Sequence, residues 1–307
     1  MNEDASDLEV RLHQWLDKEG YPLEFQTASA FKTAGFGVVQ GWYVDGEAGT
    51  RKREVDLLAT ARVPGNLLGV DVVVECKWSD DKPWVVFSNE NAKVPTLPID
   101  LAMGNGVARA CLSAAANLGT LSKLDVFAAS KRSVFGGRQA FAKGNDLFYD
   151  AIMSTVAKAR AVGDQFRPAE HENLKSILTR AIVVLPVIVV KGKLFETTYD
   201  VDSGKMTTQE TRVSRVEWQG SNDWPSCAFV DIVAAAHLAD YARQRFSDVQ
   251  GILACLVKMT ALFSVCLESR SLSPLAEIGV EERRIPSFLS AAVVELQRQI
   301  IVQPETV

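Results

Sequence analysis

Two short stretches carry the residues best suited to chemistry, Arg53-Glu-Val-Asp56-Leu-Leu-Ala-Thr60 and Val72-Val-Val-Glu75-Cys-Lys77-Trp78. Side chains alternate faces along a strand. Glu75 and Lys77 therefore share a face with Asp71 and Val73, while Val72, Val74, Cys76 and Trp78 take the other. Asp56 belongs to the preceding strand of the same hairpin, near enough in sequence to meet Glu75. Two neighbouring carboxylates repel, and each loses solvation when partly buried. A hard divalent cation relieves both problems, and oxygen ligands suit Mg²⁺ or Mn²⁺. Such an ion polarises a phosphodiester and acidifies bound water. Lys77 adds a cation that orients the attacking water or stabilises charge developing at phosphorus. The plain alternative is a cross-strand ion pair on a solvated face, which contributes little.

The elements that must hold these residues follow from local pattern. Residues 4–19 read as a helix, with Leu8, Leu12, Trp15 and Leu16 at helical spacing and Gly20-Tyr-Pro22 ending it. Three strands follow, Gly35–Val44, Arg53–Val63 and Leu68–Trp78, joined by the turns Asp45–Gly49 and Pro64-Gly65-Asn66. Links this short make the strands an antiparallel meander. Ile99–Leu118 reads as a helix, Leu124–Ala129 as a short apolar strand, and Asp146–Val162 and Ala169–Thr179 as helices. The Val- and Ile-rich run Ala181–Val190 predicts a buried strand, with Pro186 implying a bulge or an edge. Leu194–Asp200 and Gln209–Trp218 predict a hairpin around Ser203-Gly204, and Phe229–Val233 a last strand. From Ala234 the pattern is helical, and Ile252–Leu267, interrupted by Lys258, reads as a core helix rather than a membrane span.

Asp56 on one strand and Glu75-Cys76-Lys77 on the next resemble the active site of the PD-(D/E)XK nuclease superfamily. The order helix, three strands, helix, strand resembles that superfamily's core over roughly residues 5–130. The resemblance implies an α/β fold with a restriction-endonuclease-like core, a mixed central sheet flanked by helices, over residues 1–233. A C-terminal helical region then occupies residues 234–307. It implies that Asp56 and Glu75 bind Mg²⁺ or Mn²⁺, that the Cys76 carbonyl joins them as a metal ligand, and that Lys77 is catalytic. Holliday-junction resolvases and Mrr-like enzymes add a glutamate from the first helix. Glu9 is the best positional match and Glu24 the second. The Pro that gives the motif its name is replaced by Val55, a common departure. The implied reaction is metal-dependent endonucleolytic hydrolysis of DNA leaving a 5′-phosphate, in restriction, phage defence or repair. The competing expectation is an inactive nuclease-fold subunit that binds DNA or serves as a scaffold.

Composition narrows these readings. The 307 residues are 47% hydrophobic and 23% charged, enough for a sizeable core. The start, MNEDASDLEV, has neither the basic residues nor the apolar run of a secretory signal, so a cytoplasmic protein without a membrane span is expected. The five cysteines form no CxxC pair and the three histidines no HExxH, which argues against a zinc hydrolase. No GxSxG elbow and no Walker A loop occurs. The net charge of -5 argues against a broadly basic nucleic-acid coat and favours delivery of DNA by a helicase or another subunit. Cutting both strands of a duplex calls for two sites, which favours a homodimer. Arg51-Lys52-Arg53 reads as a solvated turn more readily than a phosphate contact, and Trp84 as core at least as readily as a base-stacking residue.

Overall fold

The computed structural model describes residues 3–45, 52–65, 67–78, 82–89, 102–128, 132–142, 147–166, 172–219 and 227–301. Two helices open the chain, α1 (Glu3–Lys18) and α2 (Tyr21–Ala34). The meander follows as β1 (Gly37–Val44), β2 (Arg53–Arg62) and β3 (Leu67–Trp78). Next come β4 (Trp84–Asn89), β5 (Met103–Gly104), α3 (Gly106–Ala115), β6 (Ser133–Gln139), α4 (Leu147–Asp164) and the single turn α5 (Leu174–Ile177). Five strands come after α5: β7 (Arg180–Lys191), β8 (Leu194–Asp200), β9 (Lys205–Thr211), β10 (Val213–Gln219) and β11 (Cys227–Ala234). The chain closes with α6 (Leu238–Ser269), α7 (Ser273–Glu277) and α8 (Ser287–Ile301).

All eleven strands join one mixed sheet in the order β1-β2-β3-β7-β11-β10-β6-β4-β8-β9, with β5 against β7. The protein is thus α/β, with helices on both sides of the sheet. The meander is antiparallel as predicted, Gly37 opposite Thr60 and Leu57 opposite Val74. β3 then runs parallel to β7 along its whole length, from Leu67–Arg180 to Trp78–Lys191. Alternation divides the core in two. Leu57, Val70, Val72 and Val74 pack under α2, α3 and α6. Val73, Ile182, Val184, Ile188 and Val190 pack under α4. The first of these clusters continues into Leu289 and Val293, so the C-terminal helices share one core with the meander.

Several sequence expectations are corrected. The first helix ends at Gly20-Tyr-Pro22 as expected, but a second helix begins at once where none was predicted. Gly20 turns the chain at φ 86 and Pro22 opens a second helix, where its missing N–H has no consequence. Leu124–Ala129 is not a strand over its described part. Residues Leu121–Lys123 and Asp125–Phe127 form single 3-10 turns. The hairpin around Ser203-Gly204 pairs β8 with β9, so that of the expected Gln209–Trp218 strand only Gln209–Thr211 lies opposite β8, and Val213–Trp218 belongs to β10, which pairs β11. The strands β4 and β6 were not predicted. Pro186 lies in a central strand without a bulge. On the side away from β3, β7 pairs β5 at Val183 and Val184 and β11 only from Val187 onward. Pro186 sits in the gap between these two neighbours, where a missing donor leaves no rung unmade. The Asp45–Gly49 and Asn66 turn readings, Arg51, residues 99–101, Ala129 and 169–171 with His171 fall partly or wholly outside the described residues.

Candidate active site

The paired register of β2 and β3 stops at Leu57 and Val74, one residue short of the two acids. Beyond that point a side chain replaces the backbone rung: the Cys76 N–H donates to Asp56 Oδ2 at 2.8 Å. This bond fixes the Asp56 carboxylate against β3. Glu75, 4% exposed, and Lys77 share a face as alternation requires, with Lys77 Nζ donating to Glu75 Oε1 at 2.6 Å. Asp71, farther back on that face, is buried and paired with Arg62 at 2.5 Å. Cys76 points the other way, its thiol 3.5 Å from the Thr27 hydroxyl on α2, and burial pushes the thiol well above its usual range. The structure therefore brings Asp56, Glu75 and Lys77 together, with the Cys76 backbone between them.

A fourth side chain, absent from the sequence reading, completes the cluster. Lys158 reaches from α4, its Nζ donating to Glu75 Oε2 and lying 3.5 Å from Asp56 Oδ1. Its side chain is 8% exposed. A signal for it existed. Phe148, Ala151, Ile152, Thr155, Val156, Ala159 and Val162 form the buried stripe of α4, and Lys158 falls within that stripe. A charge on the apolar face of a helix needs a partner.

Of the two candidate helix glutamates, Glu24 and not Glu9 stands near the cluster. Glu9 stays on α1, 74% exposed, with His13 as its neighbour at 3.9 Å. Glu24 lies in the first turn of α2 and within electrostatic reach of Asp56, Glu54, Glu75 and Lys158. The physical reason is the break at Gly20, which starts a new helix and carries α1 away from the sheet. Trp84 is fully buried against Phe148, with ring centroids 5.3 Å apart, and cannot stack on a base.

Electrostatics set the character of the group. Burial raises the Asp56 pKa, the charge of Glu75 raises it further, and Lys158, the Cys76 N–H and Lys77 oppose the rise without cancelling it. Glu24 is also raised, first by burial and then by Asp56, Glu54 and Glu75. Burial alone would lower the Lys77 pKa, but Glu75 and Asp56 hold it above its ordinary value. Among the described residues, no group of three or more His, Cys, Asp or Glu stands close enough to hold a metal ion. The donor set nevertheless suits a hard cation: two desolvated carboxylates already share one cation, the Lys158 ammonium.

A second polar cluster lies on the other side of the sheet. Asp231 on β11 accepts from Arg215 Nε at 2.7 Å, Tyr241 Oη at 2.9 Å and Arg245 Nη2 at 3.1 Å. Asp231 shares its face with Phe229 and Val233, which pack under α6, whereas Glu75 is level with Ile188, which packs under α4. A cavity of about 660 Å³ opens there, lined by Arg212, His237 and Gln244 among others. Arg215 and Arg245 are committed to Asp231, Asp248 and the Val126 carbonyl, so the cluster ties α6 to the sheet.

The chain matches no protein-family model, no curated protein and no solved structure.

Proposed function

We propose that the protein is a metal-dependent nuclease of the PD-(D/E)XK type that hydrolyses phosphodiester bonds in DNA. The observation that carries this reading is the convergence of Asp56 and Glu75 from adjacent strands, with Lys77 hydrogen-bonded beside them. The β1-β2-β3 meander, its parallel neighbour β7 and the flanking α2 and α4 support a restriction-endonuclease-like core. Asp56 and Glu75 would hold Mg²⁺ or Mn²⁺, with the Cys76 carbonyl as a further ligand. When bound, such an ion supplies a water of lowered pKa and neutralises charge on the scissile phosphate. The remaining work belongs to this chain. The Cys76 N–H keeps the Asp56 carboxylate aimed at the site. Lys77, anchored on Glu75, orients the attacking water or stabilises the developing phosphorane. Glu24, in the first turn of α2 and within electrostatic reach of both acids, is the candidate to take up the water's proton.

One observation favours a second reading. Lys158 already pairs with both acids and, with Lys77, balances their charge, as it would in an inactive nuclease-fold subunit that binds DNA or recruits partners. Plasmid cleavage separates the two. Nicking is expected with Mg²⁺ or Mn²⁺, none with EDTA, and a loss of about a hundredfold or more in Lys77→Ala. Metal-dependent cleavage that survives Lys77→Ala removes the catalytic assignment. Absence of cleavage together with absence of Mn²⁺ binding leaves the inactive subunit.

A further inference from the structure

Lys158 is the one feature of the cluster that the motif neither contains nor requires. Its helix is firmly seated. Phe148, Ala151, Ile152, Val156, Ala159 and Val162 are buried against the sheet. The ammonium, by contrast, stands at the end of a flexible four-carbon stem and can move while the helix stays. It touches both acids, whereas Lys77 reaches Glu75. The position between the two carboxylates is the one a metal ligated by both would take.

We propose that Lys158 is a resident cation that keeps the Asp56–Glu75 pair closed to divalent metal until a phosphodiester strand draws its ammonium away. The proposal rests on the nuclease reading and adds an order to it. Charge balance supplies the reason. Asp56, Glu75, Lys77 and Lys158 together are neutral, so a divalent ion entering alone leaves the buried cluster with two uncompensated positive charges. A phosphodiester brings one negative charge and departure of the Lys158 ammonium removes one positive charge, and together they restore neutrality. Metal and nucleic acid therefore bind cooperatively, each raising the other's affinity by the same factor. The displaced ammonium pairs with a phosphate oxygen, so Lys158 becomes a substrate-positioning residue in the loaded state.

The test is Mn²⁺ affinity, read from the free-ion resonance in a titration of the full-length protein. Lys158→Met should bind Mn²⁺ at least about tenfold more tightly than wild type without nucleic acid, within the usual range of coupling factors. Adding a duplex with non-hydrolysable phosphorothioate linkages should tighten wild type by a similar factor and the variant by much less. Mn²⁺ should also raise the melting temperature of the variant more than that of wild type. A lysine with a purely structural role would lower metal affinity when removed, because the carboxylates would lose their alignment. If Lys158→Met does not fold, Lys158→Gln, which keeps an amide donor between the acids, is read in the same way. A folded variant that binds Mn²⁺ no more tightly than wild type overturns the proposal. If wild type still cleaves DNA with Mn²⁺, the proposal falls alone. If neither protein binds Mn²⁺ and neither cleaves, the nuclease reading falls with it.

Discussion

Replacing Asp56 by Asn should make the protein more stable. Both acids touch the Lys158 ammonium, so their nearest oxygens lie within about 6 Å of each other. At an effective dielectric near 20, that separation amounts to a repulsion of roughly 3 kcal/mol. The attraction of Asp56 to Lys158 at 3.5 Å is about 5 kcal/mol on the same scale. Burial of the Asp56 charge removes several kcal/mol of hydration, which exceeds the difference of about 2 kcal/mol between the two Coulomb terms. The raised pKa of Asp56 has the same sign. The Asn carbonyl still accepts the Cys76 N–H, so the backbone contact survives. A gain of about 1 kcal/mol is expected, in the range found when functional strain is relieved. An acid whose folded pKa is raised ionises first in the unfolded chain, so its ionisation favours unfolding. The deficit is absent below the ordinary value of 3.8, develops as pH rises through the folded value and is complete above it. Urea unfolding in EDTA, near neutrality and again well below the carboxylate range, measures both effects. A neutral-pH loss of stability in Asp56→Asn would mean that the acids are a structural ion-pair network, and the reasoning would be wrong.

The helix glutamates are separable by activity: Glu24→Gln should lower metal-dependent cleavage by about a hundredfold, while Glu9→Gln should leave it unchanged. Equal effects would show that the break at Gly20 was misread. In the second cluster, Asp231→Asn leaves two buried arginines without their shared carboxylate and should cost about 3–5 kcal/mol in urea unfolding. Asp240→Asn, at an exposed pair with Arg243, should change stability by no more than about 0.5 kcal/mol. Burial raises and the two arginines more strongly lower the Asp231 pKa, so its contribution is present above 3.8 and fades as pH falls through the folded value. In Asp231→Asn that part of the acid sensitivity should be missing.

The centre of the candidate site was legible because strand alternation is a strict rule. Once 72–78 reads as a strand, Glu75 and Lys77 must share a face, and the short link between the two strands of the hairpin brings Asp56 toward them. Of the flanking helices, α4 was legible as a helix but not as the donor of Lys158, and α2 was not read as a helix. Glu24 was placed second because Gly20-Tyr-Pro22 was read as a stop alone, whereas Pro22 also suits the first turn of a new helix. Lys158 needed a question asked of α4, namely why its apolar stripe holds a charge. The strand reading at 124–129 failed because a short apolar run satisfies a buried turn as well as a strand. The order of the outer strands was not legible, since nothing local specifies that β4 pairs with both β6 and β8.

The separation of the site's parts along the chain has a consequence during synthesis. Asp56 and Glu75 belong to one local hairpin and can meet as soon as it leaves the ribosome. Lys158 follows Glu75 by 83 residues, and β7, which lines the other flank of β3, comes later still. For that interval the nascent acids have Lys77 as their nearby cation. Counter-ions from the surrounding solution should therefore speed the early steps of folding, and a chain released before α4 should hold the hairpin less firmly than the finished protein.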